Sequence, residues 1–132
     1  MSNALVPELY VSRLETSLRF YCDLLGFETV YAREAERFVY LRKDGAELML
    51  EEIGEKSWIS AELSQPFGRG MNLQVTVSEI ESLYADCSNG AATLKVPLEH
   101  RAYSVGDRII KQTQFVIQDP DGYLIRLAQV DE

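Results

Sequence analysis

The stretch Asp119–Gln129, DPDGYLIRLAQ, decides the fold because the chain contains it twice. Pro120–Leu127, PDGYLIRL, aligns with Lys43–Leu50, KDGAELML. In each, Asp-Gly precedes a strand pattern, a strong two-residue hairpin signal. The alignment pairs Asp44-Gly45 with Asp121-Gly122, Leu48 with Ile125, Met49 with Arg126 and Leu50 with Leu127. Arg126 is the odd member, a cation among Leu124, Ile125, Leu127 and Ala128.

An upstream pair of segments repeats as well. YVSRLETSLRFYC (Tyr10–Cys22) resembles TVSEIESLYADC (Thr76–Cys87). Both carry Ser-x-x-Glu, the capping-box pattern of a helix start. Leu14, Leu18, Tyr21 and Leu25 keep helical spacing, as do Ile80, Leu83, Tyr84 and Cys87. The helices should stop near Gly26 and near Asn89-Gly90, where a left-handed residue is easily placed.

Internal repetition at this length means two copies of one supersecondary unit. The first has strand Pro7–Val11, helix Glu15–Leu25, and strands Glu28–Arg33, Phe38–Lys43 and Glu47–Ile53. The second has strand Asn72–Val77, helix Ile80–Ser88, and strands near Thr93–Val96, Lys111–Gln118 and Leu124–Val130. The fold class expected is α+β: two tandem βαβββ repeats forming curved sheets around a cleft, with the helices outside. We expect one domain spanning 1–132. Repeat one covers about 5–54, a Gly/Ser/Pro-marked linker 55–67, and repeat two about 68–131. PLEHRAYSVGDR has no partner in the first copy and reads as an inserted loop.

The 132 residues suit a single domain, with 46% hydrophobic and 26% charged residues, the profile of a globular protein. A formal net charge of −8 argues against nucleic acid or an anionic membrane surface, because phosphate binding needs a basic patch. No apolar run approaches the ~20 residues of a membrane span, and no secretory signal is visible. Cys22 and Cys87 form no CxxC and no disulfide framework, which favours a reducing cytoplasm. They match across the repeat on helices, which marks them as packing residues.

Strand alternation assigns side chains to faces. Leu124, Arg126 and Ala128 share a face, matched by Glu47, Met49 and Glu51 in the related strand. In the opening strands Val6, Glu8 and Tyr10 match Asn72, Gln74 and Thr76. One side of all four strands is therefore polar: Glu8, Tyr10, Glu47, Glu51, Asn72, Gln74, Thr76 and Arg126. Such a side is either the wet lining of a cavity or the solvent face of an antiparallel sheet.

The paired units, together with FYCDLLGF, FGRGMNLQVTV and DPDGYLIRL, resemble the vicinal-oxygen-chelate superfamily. That group contains glyoxalase I, extradiol dioxygenases, fosfomycin-resistance enzymes and bleomycin-resistance proteins, so the fold hosts many chemistries. The resemblance implies that metal-dependent members hold their His, Gln or Glu ligands at four strand positions. Carried onto this chain these are Val6, Met49, Asn72 and Arg126. Valine donates nothing, a thioether suits a hard cation poorly, asparagine is a weak donor and arginine is a permanent cation. The only histidine, His100, lies in the inserted segment and reads as a surface residue.

The chain thus resembles the metal-free, bleomycin-resistance-like branch. This implies no cofactor and no metal, a cytoplasmic homodimer, and a small-molecule ligand of cationic or aromatic character. The candidate ligand residues are Glu8, Tyr10, Glu47, Met49, Glu51, Trp58, Asn72, Gln74 and Arg126. Trp58 offers a flat surface for stacking, or an anchor for the linker. Arg126 has three readings: an ion pair with Glu8, Glu47 or Glu51, a contact to a ligand carboxylate or phosphate, or snorkelling to water. Glu8 and Glu47 would serve as acid and base only if burial raised a pKa. The alternative activity is a metal-dependent lyase, isomerase or dioxygenase. A third reading is a vestigial cleft in a domain that acts through dimerisation or a protein partner.

Overall fold

A computed structural model describes residues 3–131. The chain divides into two compact units, one ending at Gln65 and the other beginning at Pro66. In the first, β1 (Glu8–Val11) leads into α1 (Leu14–Leu18), which widens into π-type turns over Arg19–Leu24. β2 (Glu28–Arg33), a short 3-10 turn at Glu34–Glu36, β3 (Phe38–Lys43) and β4 (Ala46–Glu52) follow. The second has β5 (Asn72–Thr76), α2 (Ile80–Ser88), β6 (Thr93–Val105), β7 (Arg108–Gln118) and β8 (Leu124–Val130). The strand orders are β1-β4-β3-β2 and β5-β8-β7-β6. In each sheet the first strand runs parallel to the last, and the remaining pairs are antiparallel.

The first unit's core follows from alternation. Leu9 and Val11 of β1, Leu41 of β3, and Leu48 and Leu50 of β4 are buried beside Leu14, Tyr21 and Leu25. The motif FYCDLLGF buries Phe20, Tyr21, Leu25 and Phe27: Phe20 and Tyr21 pack edge to face with centroids 4.9 Å apart, and Tyr21 and Phe27 at 6.0 Å. Gly26, at φ +87°, turns the chain out of the helix, and the Phe27 N–H closes back on the Tyr21 carbonyl at 2.9 Å. The second unit buries Val75, Ile80, Cys87, Phe115, Ile117, Ile125 and Leu127, with Tyr84 edge-on to Phe115. Each such aliphatic or aromatic side chain contributes roughly 1.5–3 kcal/mol by burial.

Three sequence expectations change. First, both helices start after Arg13 and Glu79, and neither of these residues caps with its side chain. The first-turn N–H groups are instead taken by side chains from the closing strands. Leu14 N–H donates to Glu52 Oε2 at 2.9 Å, and Ile80 N–H to Gln129 Oε1 at 3.0 Å. Glu52 and Gln129 occupy equivalent positions in the repeated alignment, so the capping is tertiary in both units.

Second, of the two repeated Asp-Gly pairs, Asp44-Gly45 alone makes a two-residue hairpin turn, with Lys43 opposite Ala46. Asp119–Tyr123 is a five-residue connection. Asp119 Oδ1 accepts the N–H groups of Asp121 and Tyr123, each at 2.9 Å, which folds the loop on itself. Phe67 N–H donates to the Asp121 carbonyl at 2.8 Å. A Cβ on Gly122 would come within 2.4 Å of Pro66 Cβ, so only glycine lets these segments meet.

Third, the inserted segment is not a loop. β6 and β7 continue as a long hairpin to a turn at Gly106-Asp107, with Val105 opposite Arg108. His100 is on this ribbon, exposed, its Nδ1 2.9 Å from Thr113 Oγ1.

Candidate functional site

In the first unit, register aligns side chains in rows across one sheet face. Glu8 lies beside Met49, Met49 beside Tyr40, and Tyr40 beside Tyr31. The next row runs Tyr10, Glu51, Phe38, Arg33. Five of the expected residues, Glu8, Tyr10, Glu47, Met49 and Glu51, thus share a face. Tyr31 and Tyr40 stack with centroids 5.1 Å apart and planes 17° apart, and the Arg33 guanidinium lies 3.9 Å over Phe38.

This aromatic shelf was absent from the sequence-derived residue set. The signal was present: a two-residue turn at Asp44-Gly45 fixes the β3–β4 register, so Tyr40 opposite Met49 follows by counting.

Glu47 is the exception among the carboxylates. It is buried, and its oxygens accept from Tyr40 Oη at 2.7 Å, Asn3 N–H at 2.7 Å and Arg42 Nε at 3.1 Å. The Asn3 N–H, then Tyr40 and Arg42, hold its pKa below the usual carboxylate range. It is a structural anion rather than a free ligand contact. Glu8 moves the other way: burial, reinforced by the Glu51 charge, raises its pKa, and Arg33 opposes that rise.

Trp58 is 89% exposed, and its backbone N–H donates to Tyr10 Oη at 2.9 Å. That bond ties the segment after β4 to this face and leaves the indole free of the core. A recess of about 490 Å³ opens at the end of β4, lined by Arg37, Glu51, Glu52, Glu55 and Lys56 among others. It includes Glu51 but none of the other expected residues.

The second unit holds Asn72, Gln74 and Arg126 on one face. Gln74, Arg126, Val116 and Val96 form one row, and Asn72, Leu124, Gln118 and Thr93 the next. A third row is Thr76, Ala128, Gln114 and Glu99. Gln114 Nε2 donates to Glu99 Oε2 at 2.9 Å and to Tyr103 Oη at 2.8 Å, and Arg101 pairs with Glu99 at 3.3 Å. Within its unit Arg126 has no ion-pair partner among the described residues, and its Nε is buried without a hydrogen bond. Burial also raises the Cys22 thiol pKa and pushes the Cys87 thiol up to about 11, in keeping with packing roles. No group of three or more His, Cys, Asp or Glu among the described residues is arranged to hold a metal ion.

Comparison with known proteins places these sheets in context. A bleomycin resistance protein of Geobacillus stearothermophilus is 26% identical over 94% of this chain and 94% of its own. A bleomycin resistance protein of Staphylococcus aureus matches with the same identity and coverage. A protein from the mobile metagenome of V. Pseudocholerae superposes with a TM-score of 0.72 at 19% identity, covering 100% of this chain and 97% of that one, a likeness of fold. The family model described as Glyoxalase/Bleomycin resistance protein/Dioxygenase superfamily matches residues 4–127. The chain belongs to that superfamily.

Proposed function

We propose that the protein binds and sequesters a small molecule without chemically transforming it, in the manner of bleomycin resistance proteins. The observation that carries this reading is the chemistry at the four positions where the resemblance puts the metal ligands, three in strands and Val6 just before β1. Val6 offers hydrocarbon, Met49 a thioether and Asn72 a weak amide oxygen. Arg126 offers a guanidinium, which repels a divalent ion. These residues do not fit a hard or borderline cation, so no metal-assisted step is derived.

Two features support a cationic or aromatic ligand. The stacked Tyr31–Tyr40 pair lies in one row with Met49 and Glu8. Glu8 and Glu51 are in adjacent rows of that face, close enough for the Glu51 charge to disfavour ionisation of Glu8. A bound cation relieves that repulsion, and the exposed Tyr31 ring, backed by the buried Tyr40, adds roughly 0.5–1 kcal/mol of cation–π attraction. Homodimerisation and a cytoplasmic location belong to this proposal through the resemblance.

Isothermal titration with bleomycin and a panel of cationic aromatic drugs tests it. The expected result is saturable, stoichiometric binding with the drug recovered unaltered. Absence of binding up to high micromolar concentrations overturns the drug-sequestering reading. Elemental analysis of protein purified without chelator supplies the counter-test: a stoichiometric divalent ion would establish the metal-dependent alternative.

A further inference from the structure

We propose that the row centred on Arg126 is an oxyanion subsite, taking a carboxylate or phosphate group of the ligand. This rests on the small-molecule-binding reading above and narrows the ligand class. Arg126 is the third residue of the seven-residue β8, between Gln74 on one side and Val116 on the other. Its Nε is buried and meets no hydrogen-bond acceptor among the described residues. A guanidinium kept only for solubility would hydrate its donors at a strand end. This one is half-buried in mid-strand with a donor unfilled.

The surroundings match an anion in kind. Across Arg126's row and the rows on either side, the only carboxylate is Glu99, already bonded by Gln114 and Arg101. The groups flanking the guanidinium are neutral amides and hydrocarbon: Gln74 beside it, Asn72 and Gln118 in one adjoining row, Val116 across. Asn72 and Gln74 are exposed, so their amides are open to an incoming group. A positive charge whose one neighbouring carboxylate on this face is already taken by Gln114 and Arg101 is unusual in a chain whose net charge is −8. An oxyanion would accept from the guanidinium fork, with the Gln74 and Asn72 amides as further donors.

The test follows arginine Nε–Hε resonances of the ¹⁵N-labelled full chain at constant ionic strength, with sodium chloride as reference. Sodium phosphate and sodium acetate are titrated separately. The expected result is one resonance that shifts saturably and is missing from Arg126→Lys protein. Saturation with phosphate alone, acetate alone or both distinguishes the two oxyanion sources. Arg126→Gln should weaken the effective anion at least tenfold while its thermal melt confirms folding. No saturable shift with either anion in the wild-type chain overturns the subsite.

The two proposals fail separately. Anion saturation without drug binding removes the drug reading and keeps the subsite. Drug binding that Arg126→Gln leaves unchanged, with no anion response, removes the subsite and keeps the binding reading.

Discussion

Glu8 and Glu47 share a sheet face, yet their surroundings push them in opposite directions. Glu47 is held ionised by donors, so its folded pKa lies below its unfolded value. Its stabilisation is present above the ordinary carboxylate range and is lost as pH falls through the folded value. Glu8 has a raised pKa, so its favourable state is complete at low pH and is lost as pH rises through the folded value. We expect Glu8→Gln to gain stability at pH 7 relative to pH 4, and Glu47→Gln to lose it, as read by urea melts across that range. The long-range caps give a second contrast. Gln129→Ala should cost about 1 kcal/mol, the ordinary value of a lost cap, with little pH dependence. Glu52→Ala should cost more at neutral pH, because it also removes a partner of Arg37, and the excess should shrink in acid. Sequence alone made Glu8, Glu51 and Arg126 legible as one-sided polar positions by counting twos along strands. Counting back from the Asp44-Gly45 turn also sets Arg42 opposite Glu47, but not the bonds from Tyr40 and the Asn3 N–H, which depend on diagonal side-chain reach and on the chain before β1.

Element boundaries were legible wherever a turn residue had one geometric solution. Phe38–Lys43 and Leu124–Val130 coincide with expectation because a positive-φ residue or a self-bonded aspartate turns the chain beside each. The β6–β7 ribbon was misread because Pro97, Gly106 and the surrounding charges resemble a loop in composition. Alternation there is blurred by bulges between Leu94 and Val96 and between Val96 and Glu99. The glycines of the two hairpins carry different demands, which is testable. Gly106 has φ +65° and open space around it, so Gly106→Ala should cost no more than about 1 kcal/mol. Gly122 combines φ +103° with a Cβ position 2.7 Å from the Pro66 Cα, a backbone atom that cannot rotate away. Gly122→Ala should therefore cost on the order of 3 kcal/mol, since backbone strain and overpacking add. Equal losses in paired denaturation curves would refute this account of the DPDG loop.

At the scale of the molecule, charge is the property that bears on ligand choice. Residues 1–65 contain twelve of the 21 acidic side chains and seven of the 13 basic ones, so the first unit is the more acidic. A field of that sign gathers cations before any contact forms and accelerates their association, while leaving dissociation to the short-range contacts. The field is screened over a Debye length that falls from about 30 Å at 0.01 M salt to about 3 Å at 1 M. If a cationic ligand is captured through this field, stopped-flow quenching of the exposed Trp58 should show its association rate falling about tenfold between 0.02 and 0.5 M sodium chloride. Its dissociation rate should change much less, because the Tyr31–Tyr40 shelf acts only at contact. A neutral aromatic ligand on the same shelf should show no such slope. Should both rates for the cation prove indifferent to salt, the acidic surface serves solubility alone, and recognition of the ligand rests on the shelf.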